Sequence, residues 1–188
     1  MTRDRRRPHP FYRSVIDALV FLAVLTIVLG VMKQFGVIDL ASESMQVIDG
    51  DSLRRGETDI RLYGIDAPEY RQSCRDKHGT EYSCGKQSAN ALRGLVKGQD
   101  VSCSSVETDR YGRAVAVCKI GDLDINGEMV RLGWAVAYSR HSASYLRAEA
   151  EAKKAKRGIW AGTFEKPEDY RSQQRLVRGD LGEPDMPD

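Results

Sequence analysis

The chain lacks an excess of either charge. Its 188 residues carry 29 basic and 27 acidic side chains, a net of +2. The balance is unevenly spread: Arg3, Arg5, Arg6, Arg7 and Arg13 stand against Asp4 alone in the first 13 residues. Without that segment, 24 basic residues face 26 acidic ones. A cationic coat for nucleic acid is therefore excluded, and an anionic substrate has to be met locally. Cysteine is scarce, and none of the four is spaced as Cys-x2-Cys, which speaks against a zinc site. No internal repeat is present. Disorder is also excluded for the bulk of the chain, because 41% hydrophobic and 30% charged residues suit a globular protein.

One long apolar run is present. Val15 to Met32 is interrupted only by Asp17, and with Ser14 it reaches the length that crosses a bilayer. No clear Ala-x-Ala cleavage site follows it, so an uncleaved anchor over residues 14–32 is the expectation. A cleaved signal peptide and a buried core helix are the alternatives. The basic segment 1–13 should stay in the cytoplasm, with the rest in the periplasm or cell exterior. A linker (33–43), a folded domain (44–162) and a polar tail with three prolines (163–188) complete the expected organisation.

Cys103 and Cys118 flank a hairpin whose turn lies at Asp109–Gly112. Opposed residues of an antiparallel pair have a constant index sum, and pairing 103 with 118 centres the turn between Arg110 and Tyr111. A disulfide can therefore bridge the two strands. Cys74 and Cys84 close a short polar loop and form the second expected pair. Two disulfides suit an oxidising compartment; four unpaired thiols are the alternative. The order of elements is three strands (the third spanning Thr58 to Ile65), a helix, two strands and two helices. It predicts an α+β domain with a five-stranded antiparallel barrel and three helices, behind one transmembrane helix.

The stretch from Val47 to Glu69 concentrates chemistry. Asp49-Gly50-Asp51 is an acidic turn, and Arg61-x4-Asp66-Ala67-Pro68-Glu69 follows. Asp51, Asp66 and the Ala67 carbonyl are hard oxygen donors of the kind calcium takes. Arg61, with Arg113 from the hairpin, supplies two guanidinium forks for the charge that develops on a phosphodiester. Glu69 can orient or deprotonate water. One geometric difficulty is visible: Arg61 and Asp66 lie five residues apart, on opposite faces of an ideal strand. Their convergence needs a bend or a bulge.

These motifs together with Asp109-Arg110-Tyr111-Gly112-Arg113, Asn126-x6-Gly133-Trp134-Ala135 and Glu149 to Trp160 resemble the staphylococcal nuclease (thermonuclease) family, over about Ser44 to Gly162. The resemblance implies an OB-fold barrel and calcium-dependent hydrolysis of phosphodiester bonds in DNA and RNA. It implies Asp51, Asp66 and the Ala67 carbonyl as metal ligands, Arg61 and Arg113 as phosphate-binding groups and Glu69 as the water-activating residue. Arg110, Tyr111 and Tyr138 would line the substrate site, and a monomer is expected. Ser52 and Ala67 replace threonines common in the family. The competing readings are a non-catalytic OB-fold binding module and a cell-envelope, polysaccharide-related protein that retains the nuclease fold.

Overall fold

The computed structural model describes residues 10–34, 44–138 and 143–180. Residues 1–9 of the basic segment, 35–43 of the linker and 181–188 of the tail lie outside the described residues. The chain forms two units, divided after Ser42.

The first unit holds helix α1 (Pro10–Gln34). Its stretch Val15–Met32 is long and apolar enough to cross a membrane. The large apolar side chains from Val15 to Val31 are exposed.

The second unit is a mixed α+β fold. Strands β1 (Gln46–Val47), β2 (Ser52–Arg55), β3 (Thr58–Leu62) and β4 (Ile65–Asp66) come first. A small hairpin, β5 (Cys74–Arg75) and β6 (Glu81–Tyr82), leads into helix α2 (Cys84–Val96). The long hairpin β7 (Ser102–Thr108) and β8 (Ala114–Ile120) follows, then β9 (Leu123–Asp124), α3 (Ile125–Arg131), β10 (Val136–Ala137) and α4 (Leu146–Lys154). A 3₁₀ turn at Gly158–Ala161 precedes α5 (Pro167–Asp180). The main sheet runs β1-β2-β3-β8-β7, with β9 on β8, and β3 pairs with β8 in parallel. The α+β class holds. Five strands were expected; ten strand segments are present among the described residues, because the third strand breaks in two and short pairs occupy the loops. Pro167–Asp180 is a helix where the sequence suggested a loosely held tail.

Both disulfides form. Cys103 and Cys118 are direct register partners with Cα atoms 4.0 Å apart, as the index sum requires. The bulge between Ser105 and Glu107 lies nearer the turn and leaves that pairing intact. Cys74–Cys84 ties β5 to the start of α2.

The core lies between the sheet and α2 and α3. Ala89, Leu92 and Val96 form the buried stripe of α2, at helical spacing, and meet Leu53, Leu62, Ile65, Ile125, Met129 and Val130. Asp124 caps α3 by accepting from Gly127 N at 3.1 Å. Asn126 is fully buried. Its Nδ2 donates to the Tyr63 and Ala116 carbonyls at 2.9 and 3.0 Å, and its Oδ1 accepts from Cys118 N at 3.0 Å. This satisfied amide clamps the end of β3 to β8, which fixes the edge on which the acidic residues sit.

Candidate catalytic site

The site grows from the break after β3. Gly64 adopts φ of +75°, a left-handed conformation that glycine accepts without strain. The strand stops at Leu62 and resumes at Ile65, so the alternation of side chains is interrupted. Arg61 and Asp66 then reach the same side, with Arg61 Nη2 donating to Asp66 Oδ1 at 2.9 Å. The opposite parity of the two residues is resolved by this turn.

Asp51 enters from the acidic turn. Asp49 Oδ1 accepts from Asp51 N at 2.9 Å and shapes that turn. Gly50 lies so close to α2 that an added Cβ would sit 1.9 Å from Ser88 Oγ, so only glycine fits. The packing presses the turn onto the core, leaving Asp51 3% and Asp66 1% exposed. Every oxygen of Asp51 has a donor. Its Oδ1 accepts from Ser52 Oγ at 3.0 Å and Arg61 Nη1 at 3.2 Å, and its Oδ2 accepts from Ala67 N at 2.9 Å. Arg61 thus spans two buried carboxylates with one planar fork.

Glu69 stands beside this pair, in a turn fixed by Gln72. Gln72 is fully buried; its Oε1 accepts from Glu69 N at 3.1 Å and its Nε2 donates to the Glu165 carbonyl at 2.7 Å. That second bond delivers the segment leading into α5. Arg171 of α5 reaches into the cluster. Its Nη1 donates to Asp66 Oδ1 at 2.9 Å and to Glu69 Oε1 at 2.6 Å, and its Nη2 donates to Asp66 Oδ2 at 3.0 Å. Arg171 lay in the expected tail and was not among the site residues read from sequence. Its contact with Asp66 spans 105 positions, which no local pattern encodes.

The structure therefore brings Asp51, Arg61, Asp66, Ala67 and Glu69 together. Arg113 pairs within its own hairpin: its Nε donates to Asp109 Oδ2 at 2.8 Å. Burial opposes the ionisation of Asp109, yet the hydrogen bonds from Arg113 and the backbone hold its carboxyl below the ordinary value. Tyr111 is 60% exposed at the hairpin tip, with the Arg110 and Arg113 guanidiniums 4.8 and 5.5 Å from its ring centre. Tyr138 donates its N–H to the Gly64 carbonyl at 2.9 Å, which places its backbone beside the break.

The electrostatics suit a cation. Asp49, Asp51, Asp66 and Glu69 face Arg61 and Arg171, so the cluster is two charges negative when all four acids are ionised. Burial comes first among the causes that raise the pKa values of Asp49, Asp66 and Glu69, and the charge of Asp51 adds to each. Asp49 is pushed from 3.8 up to about 7. Among the described residues, no three His, Cys, Asp or Glu side chains form a metal-holding group by themselves. The two carboxylates of Asp51 and Asp66 and the Ala67 carbonyl are hard oxygen donors, a chemistry that fits calcium.

A pH dependence follows. A carboxyl whose folded pKa lies above its unfolded value contributes most to stability while protonated. The contribution of Asp49 is complete below about 3.8 and is lost as the pH rises towards about 7. Stability in chelator should therefore fall over that window, and Asp49→Asn should flatten the fall. Urea titrations at several pH values check this; an unchanged slope in the variant would contradict it.

The fold and site together define a small α+β protein in which two buried acids share an arginine beside a third acid. Residues 59–162 match the model of the family described as "Staphylococcal nuclease homologue". The chain belongs to this family. It is 33% identical to "Succinoglycan biosynthesis protein ExoI" of Rhizobium meliloti (strain 1021), over 83% of each chain. It is 32% identical to an "Uncharacterized endonuclease" of Escherichia coli O157:H7, over 65% of this chain and 78% of the relative. It is 36% identical to "Probable staphylococcal-like nuclease CAN3" of Oryza sativa subsp. japonica, over 64% of this chain but only 30% of that longer protein.

Proposed function

We propose that the chain is a calcium-dependent nuclease that hydrolyses phosphodiester bonds of DNA and RNA outside the cytoplasm, acting as a monomer on an OB-type barrel. The observation that carries this reading is the fork of Arg61 across buried Asp51 and Asp66, with Glu69 alongside. Family membership and relatives named as endonucleases support nuclease activity. Asp51, Asp66 and the Ala67 carbonyl would hold calcium, which supplies Lewis-acid polarisation of the phosphodiester and a site for water. Arg61 binds a phosphate oxygen and meets the charge that develops on it. Arg113 does the same from the hairpin once its side chain leaves Asp109. Glu69 orients water and accepts its proton; burial raises its pKa, which makes it a better proton acceptor than an ordinary carboxylate. Arg110, Tyr111 and Tyr138 receive the nucleotide, the exposed Tyr111 ring offering a stacking face.

The test is direct. The full chain in detergent should convert end-labelled single-stranded DNA and RNA oligonucleotides to shorter products when calcium is present. Intact substrate under those conditions would overturn the assignment. A second reading draws on the relative named as a succinoglycan biosynthesis protein: a cell-envelope role linked to polysaccharide. Intact nucleic acid together with altered surface polysaccharide in a deletion strain would favour it.

The placement rests on the arginines before α1 and on the two disulfides, which suit an oxidising side. A reporter fused after Asp188 that works only outside the cytoplasm should be active. Activity from a reporter that works only in the cytoplasm would reverse the topology.

A further inference from the structure

Arg171 holds the two side chains that the proposed reaction needs. It takes both oxygens of Asp66 in a fork and bonds Glu69 through the same Nη1. A divalent ion drawn to Asp66 would lie beside this guanidinium, and two positive charges at that range repel strongly in a partly buried site. The ion and the docked arginine therefore exclude each other.

The helix that carries Arg171 is built to let go. It is anchored at its start, where Pro167 is buried and Gln72 holds the Glu165 carbonyl. Beyond Arg171, residues 172–177 are exposed, Leu176 and Val177 at 70% and 55%. With so little apolar surface buried past its first turn, α5 relies on the Arg171 contacts for its docking.

We propose that α5 is an internal competitor for the cation, an autoinhibitory strap whose Arg171 holds Asp66 and Glu69 until a divalent ion displaces it. The proposal rests on the reading that Asp66 is a calcium ligand. Calcium binding and docking of α5 are then linked, and each must weaken the other by the same factor.

Calorimetric titration of the full chain with calcium, in detergent, tests the coupling. Arg171→Gln should bind calcium about tenfold more tightly than the wild type, within the usual range of such couplings. Arg171→Lys, which keeps the charge and loses the fork, should fall between the two. Equal or weaker binding by Arg171→Gln would overturn the proposal and leave the calcium reading intact. No binding by either chain would overturn the calcium reading itself and the proposal with it. Hydrogen exchange on the wild type needs no variant: amides of residues 168–177 should exchange faster at saturating calcium. Unchanged or slower exchange would contradict the strap.

Discussion

Arg61→Ala is expected to destabilise the domain by about 3–5 kcal/mol and to cut hydrolysis about 10²–10³-fold. The two losses have different origins. Asp51 and Asp66 are buried, with side chains 4% and 2% exposed, while Arg61 between them is 24% exposed. Removing the guanidinium leaves Asp66 with Arg171 but leaves Asp51 without a cation. An uncompensated buried carboxylate is the costly outcome, and the expected loss is a large share of a typical domain's stability. Calcium should restore part of the stability, because a dication between the two acids replaces the missing charge. The catalytic loss should remain, because the donor to the phosphate oxygen is gone. Urea unfolding with and without calcium, beside rate measurements, separates the two. An alanine variant as stable as the wild type and within tenfold of its rate would refute the role given to Arg61. Arg61→Lys should be intermediate, since one ammonium cannot span both acids.

Glu69→Gln is the second large effect, and it should be almost purely chemical. Gln72 fixes the backbone of Glu69, through Glu69 N–H to Gln72 Oε1 and Gln72 N–H to the Glu69 carbonyl at 2.7 Å. A glutamine of the same size keeps that turn. It cannot accept a proton, so the rate should fall about 10²–10⁴-fold. The melting temperature should change little, and calcium affinity should not fall, because Arg171 loses one of its two carboxylate partners. Single-turnover cleavage and calorimetry check both halves. A glutamine variant with wild-type turnover would remove Glu69 from the mechanism.

Much of this was legible in the sequence, and the reason differs from part to part. The Cys103–Cys118 bridge follows from the arithmetic of an antiparallel ladder, and the bulge at Ser105–Glu107 falls where it does no harm to that sum. The stripe of α2 follows from helical period. The meeting of Arg61 and Asp66 was the exposed weakness, because strand parity forbids it. Its solution, a left-handed Gly64, is written in the chain but reads only as part of a strand until the break is seen. Helix α5 also left a local signal: Pro167 at the first helical position, then Glu168 and Asp169 in the first turn. The docking of Arg171 had none. It depends on Gln72 reaching Glu165 across 93 positions, and contacts of that range appear only once the core has brought the segments together. Arg113 shows the reverse case. Its motif pointed to the phosphate, whereas the structure pairs it with Asp109, the acid that shapes its own turn.

If the cluster of Asp51, Arg61, Asp66 and Glu69 is a cation-dependent hydrolytic centre, calcium must switch it on and off. Cleavage of single-stranded DNA by the full chain, followed through calcium addition, chelation and calcium excess, tests it in one vessel. Hydrolysis should begin with calcium, stop in chelator and resume when calcium is restored. Hydrolysis that continues in chelator, or none at any stage, would contradict the account.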